Sequence, residues 1–132
     1  MAGDKQISDE LKKQVWEKGI NIEGYPQDMV RKDACGALIV YEDFQNEESL
    51  FGWDVDHIVP ISILAEKGVE NDKMEDIRNL RPMNVANVIS KGDSYPYYTA
   101  ARIASGETNI ETESNKVVNS SLQEELKQFY NL

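Results

Sequence analysis

"GWDVDHIVPIS", residues 52–62, contains the only histidine of the chain, His57, directly after Asp56. The stretch alternates. Trp53, Val55 and His57 point one way from a pleat, and Asp54, Asp56 and Ile58 point the other. This predicts a strand, and Pro60 ends it, since proline cannot donate to a ladder. A carboxylate and an imidazole therefore arrive together at a strand end. An imidazole with an ordinary pKa of about 6.5 can accept a proton from water near neutrality. A carboxylate is a hard oxygen ligand for a divalent cation that keeps water or phosphate in its shell. The competing reading is a histidine satisfied within a core.

Outward from this stretch, Ser8 is a candidate N-cap for a first helix with Leu11, Val15 and Trp16 on one face and Gly19 closing it. "INIEGYPQD" reads as a loop, "ACGALIVYEDF" as a strand and "NEES" as an acidic turn. After Pro60 comes a short helical turn and a polar connection. "LRPM", residues 80–83, is a second extended segment, and Asn84 can cap a helix running to about Lys91. Gly92 and Pro96 break that helix. Residues 104–119 are polar and acidic, so a loop is expected. "SSLQEELKQFY" closes the chain as a helix over about 121–130, Ser121 and Glu124 forming a capping box. The expected class is α+β, one domain over 1–132: a strand–strand–helix core flanked by N- and C-terminal helices. Trp53, Val55 and Ile58 are expected in its core.

Composition sets bounds. The 132 residues suffice for one modest core, and no apolar run approaches the roughly 20 residues that span a membrane. No signal-peptide pattern opens the chain, and Cys35 is the single cysteine, so the cytoplasm is the expected compartment. One cysteine and one histidine cannot assemble the four N/S ligands of a structural zinc. The net charge of -10 argues against polynucleotide binding, which usually needs a basic face. The acid is uneven: nine Asp/Glu stand against Arg31 and Lys32 in residues 20–60, whereas residues 61–103 balance at six against six.

"WDVDHIVPIS" followed by "NLRPMNVANVISKGD", with "RKDACGALI" and Gly-Trp upstream, resembles the HNH endonuclease motif over about 31–93, roughly half of the chain. The resemblance implies a ββα-metal fold and metal-dependent phosphodiester hydrolysis with Mg²⁺ or Mn²⁺. It implies His57 as general base, Asp56 as metal ligand, and Asn79 as the middle asparagine that holds the base strand through backbone hydrogen bonds. It sets Lys91, and with it Arg81, against substrate phosphate. The substrate class is nucleic acid, DNA before RNA. Blander readings stand beside these: Asn79 as a turn asparagine, and Lys91 as a solvated helix-end cation favoured by the dipole.

One position departs from the motif. The final His or Asn, nine residues after the middle Asn, is Val88 here. Asn87 is the neighbouring candidate ligand, but one residue turns a helical side chain by about 100°. Asn84 is a second substitute, with capping as its competing task. Two function classes follow: a nuclease with a substituted last ligand, or a catalytically impaired HNH-like domain that binds or regulates a protein partner.

Overall fold

The computed structural model describes residues 7–132 and has an α+β architecture. Helix α1 spans Asp9–Trp16, and the Ser8 hydroxyl accepts from the Leu11 amide at 3.1 Å, as its cap chemistry predicts. Strands β1 (Val30–Lys32) and β2 (Leu38–Val40) pair antiparallel. The expected longer strand over residues 34–44 is cut short. Gly36, at φ 90°, turns the chain around the Asp33 carboxylate, and a 3-10 turn takes over at Tyr41–Asp43.

β3 (Trp53–His57) pairs antiparallel with β4 (Leu80–Asn84), Trp53 opposite Asn84 and His57 opposite Leu80. Between them lie α2 (Ile61–Glu66) and α3 (Asn71–Met74). Pro82 is tolerated inside β4 because the sheet has only two strands, leaving its nitrogen on an open edge. Helix α4 (Val85–Lys91) follows without a loop, capped by the Asn84 side chain, which accepts from the Ala86 amide at 3.1 Å. It packs against β3, β4 and the next strand.

β3 is buried on both faces except at His57, which differs from the half-buried strand that alternation suggests. The reason is that two apolar clusters flank it. Trp53 and Val55 pack with Val15, Trp16, Ile39 and Leu80. Ile58 and Met83 join Val59, Leu64, Leu126 and Tyr130 in the second cluster. The carboxylates of Asp54 and Asp56 are therefore enclosed rather than solvated.

The expected loop at 104–119 is instead the longest sheet of the fold. β5 (Tyr97–Ser105) and β6 (Thr108–Val117) form an antiparallel hairpin with an irregularity between Ala100 and Arg102. The turn is Gly106–Glu107 with Gly106 at φ 62°, the glycine signal of a two-residue hairpin. The last helix, α5 (Ser120–Tyr130), is capped by Asn119 accepting from Leu122 at 2.8 Å, not by Ser121. Among the described residues no helix is long and apolar enough to cross a membrane.

The entry to β3 depends on Gly52. A Cβ there would lie 1.9 Å from the Asn46 carbonyl oxygen, a backbone atom with no rotamer to give. Gly52→Ala is expected to lower stability by about 3 kcal/mol or more, measured by urea unfolding; a loss below about 1 kcal/mol would contradict this packing.

Candidate functional site

The three elements β3, β4 and α4 bring most of the sequence-predicted residues to one place. Asp56 and Arg81 are opposite each other in the β3–β4 register. Arg81 Nε donates to Asp56 Oδ2 at 2.8 Å. From the last turn of α4, Lys91 reaches back with Nζ 3.3 Å from Asp56 Oδ1. The same ammonium donates to the carbonyls of His57 at 3.0 Å and Ile58 at 3.1 Å. An ammonium has three donors, and these three acceptors use them. Lys91 is 1% exposed, so it is not the solvated helix-end cation that its position suggests.

This cluster is electrostatically unbalanced. Two buried cations share one carboxylate. Burial pushes the Lys91 amine below its ordinary pKa, with Asp56 pulling the other way. Burial also works against the charged Arg81, but Asp56 and its other neighbours outweigh it and leave the guanidinium raised. Arg81 lies over the Tyr98 ring, 5.6 Å from its centroid, and Nη2 is 3.4 Å from the Tyr98 hydroxyl. Beyond it, the Cys35 thiol is 3.9 Å from that hydroxyl. Burial pushes Cys35 to about 12 and Tyr98 to about 12. A thiol protonated at neutral pH is no nucleophile.

His57 ends β3 with its side chain 12% exposed. Its Nε2 lies 3.0 Å from each carboxylate oxygen of Glu75, which follows α3 in the β3–β4 connection. Asn79 is fully buried and grips one residue from both sides: Oδ1 accepts from the Val59 amide at 2.8 Å, and Nδ2 donates to the Val59 carbonyl at 3.0 Å. The chain leaving β3 is thereby held against the chain entering β4.

The remaining candidates face elsewhere. Asn87 is fully buried; Oδ1 accepts the amides of Ala101 and Arg102 at 2.8 Å each, and Nδ2 donates to Asp33 Oδ2 and the Arg102 carbonyl. It closes the irregularity in β5. Val88 packs against the second apolar cluster. Asn84 Oδ1 accepts from Arg102 Nη1 at 3.1 Å besides capping α4. Asp56 thus has both oxygens on cations, and the amide oxygens of Asn84 and Asn87 are engaged within the protein. This donor set does not fit a divalent cation. Among the described residues no group of three or more His, Cys, Asp or Glu is placed to hold a metal ion.

Sequence reading missed Glu75, Asp33 and Asp54. Glu75 belongs to an acidic connection with no periodicity to single it out. Asp33 accepts from the amides of Cys35, Ala37 and Asn84 and from the Asn87 side chain, at 2.8–3.1 Å. Asp54 is 1% exposed, and among the described residues its Oδ2 has no hydrogen-bond partner. Burial raises its pKa, with the Val55 amide opposing. Alternation places Asp54 and Asp56 on one face, and the structure encloses both.

Three substitutions test these burials. Asp56→Ala strands two buried cations and is expected to cost about 3–5 kcal/mol. Lys91→Met keeps apolar volume, forfeits two carbonyl partners, and is expected to cost about 1–3 kcal/mol. The order of the two in urea unfolding is the check; Lys91→Met costing more than Asp56→Ala would contradict the cluster. At Asp54 the folded state holds its proton above the unfolded pKa of about 3.9. Ionisation therefore removes stability as pH rises from that value through the raised folded pKa. Asp54→Asn lacks this loss, so its Tm relative to wild type is expected to climb between pH 3.5 and pH 7. A difference independent of pH would refute it.

Compared with protein-family models, curated proteins and solved structures, the chain matches none, so the functional reading rests on the motif and its geometry.

Proposed function

We propose that the chain carries an HNH-like ββα unit whose cation position is filled from within, and that it acts as a binding or regulatory module. The observation that carries this reading is the closed Asp56 carboxylate, held by Arg81 at 2.8 Å and Lys91 at 3.3 Å. A divalent ion would have to displace an ammonium that also binds two strand-end carbonyls. Val88 in the apolar cluster supports the same reading, since its side chain offers no donor atom. The net charge of -10 favours a basic protein surface over a polynucleotide as partner.

A metal-dependent endonuclease, acting on DNA before RNA with Mg²⁺ or Mn²⁺, is the second reading. One observation favours it. His57 is oriented by Glu75, while Asn79 fixes the backbone behind it, an arrangement suited to a general base. Lys91 and Arg81 contribute to substrate phosphate in that reading only if they leave Asp56.

Plasmid nicking separates the two. Wild type, His57→Ala and Val88→Asn are incubated with Mg²⁺ or Mn²⁺ and supercoiled DNA. The binding-module reading expects all three to be inert though folded by circular dichroism. Wild-type cleavage that His57→Ala abolishes would overturn it in favour of the nuclease.

A further inference from the structure

The β5–β6 hairpin is a two-stranded sheet, and β6 pairs with nothing but β5 among the described residues. Its outer edge over residues 110–117 therefore offers backbone donors and acceptors to a further strand. Unprotected edges of this length invite pairing. The residues along the edge decide with what.

The residues of β6 opposite β5 show which way each side chain points. Ile110 pairs with Ile103, and Glu111 with Arg102; beyond the irregularity, Ser114 pairs with Ala100, Lys116 with Tyr98, and Val117 with Tyr97. Burial follows this: Tyr98 and Ala100 are buried, and their partners Lys116 and Ser114 are half-buried. On the other face Tyr97 is 74% exposed, Val117 50% and Ile110 47%. Between Glu111 and Ser114, β6 carries one more residue than β5 does between Arg102 and Ala100. The in–out alternation of β6 therefore slips by one at that point.

We infer that β6 pairs antiparallel with β6 of a second copy of this chain, centred on Ser114, forming a continuous four-stranded sheet across a two-fold axis. Ser114 stands opposite its own copy, and Glu113 opposite Asn115. With Thr112 bulged in each strand to absorb the slip, Glu111 falls opposite Lys116, and Ile110 opposite Val117. Every pair lies on a common face. The two outermost pairs are complementary, one by charge and one by apolar contact, and two-fold symmetry supplies each of them twice. The register that fits the slip is thus also the register that matches the side chains. Glu111, Glu113 and Lys116 are the kind of charges that stop an edge from pairing indiscriminately. Their order here is self-complementary, so the same charges that reject other strands select this one.

The test is sedimentation equilibrium of the full chain with two charge reversals. Wild type is expected to reach twice 15.0 kDa as concentration rises. Glu111→Lys and Lys116→Glu each place like charges opposite one another twice, and each is expected to weaken self-association roughly tenfold or more. Mixed in equal amounts, the two variants restore both pairs and are expected to associate as wild type does. Circular dichroism confirms that both stay folded. Ser114→Cys reads the register, because it sits opposite itself and is expected to form an intermolecular disulfide on mild oxidation, faster than Glu113→Cys. Cys35 is buried and does not compete. A wild type monomeric at millimolar concentration overturns the inference. So does a dimer indifferent to both reversals, a mixture that fails to associate, or cross-linking that favours position 113.

Discussion

The Asp33 carboxylate is the point from which the rest of the molecule takes its geometry. It accepts four hydrogen bonds: two from its own turn, one from the amide at the end of β4, and one from Asn87 on α4. Ranked alone, each such bond contributes on the order of 1 kcal/mol, but stranding any donor in this buried place costs more. Asn87 then passes the constraint onward to β5 through its own carbonyl and amide. One side chain thus fixes the β1–β2 turn, the start of α4 and the irregular point of β5. Desolvation of the carboxyl, which raises its pKa, is offset in part by those same donors.

The Asp56 cluster sits at the other end of α4 and has a different character. Asp33 is surrounded by neutral donors, whereas Asp56 is surrounded by cations. A buried ion pair is seldom a net gain over apolar packing, so its retention points to geometry rather than to stability. Lys91 ties the C-terminal end of α4 to the end of β3, and Arg81 ties β4 to β3. The result is a rigid strand–strand–helix unit with His57 at its margin.

Much of this was legible in the sequence. The strand at 53–57, its partner at 80–84 and the helix after Asn84 follow from alternation, from Pro60 and from a capping residue. Convergence of Asp56, Arg81 and Lys91 was not legible as an ion cluster, because nothing in the spacing says whether a lysine turns inward. Lys91 is hidden because β5 covers α4, and β5 itself arises from a segment whose polarity reads as loop. Threonine, asparagine and glutamate suit an exposed hairpin as well as a loop, and only Ser-Gly-Glu-Thr at 105–108 carried the distinction. Asn87 belonged to the motif by resemblance, yet its hydrogen bonds run to Asp33 and β5, partners far away in sequence.

β3 lies between the two apolar clusters, and this has a bearing on how the molecule comes apart. The first cluster holds Trp53 and Val55 of β3, and the second takes up Ile58 and Val59 directly after its end, so one continuous segment couples the two in a single cooperative transition. Amide exchange in β3 is governed by that global opening, whereas the far end of the hairpin opens locally. Both tryptophans belong to one cluster, their rings 5.1 Å apart, while Tyr98 and Tyr130 belong to the other. Indole emission therefore watches one side of β3, while tyrosine absorbance reports both, since Tyr41 packs beside the two indoles.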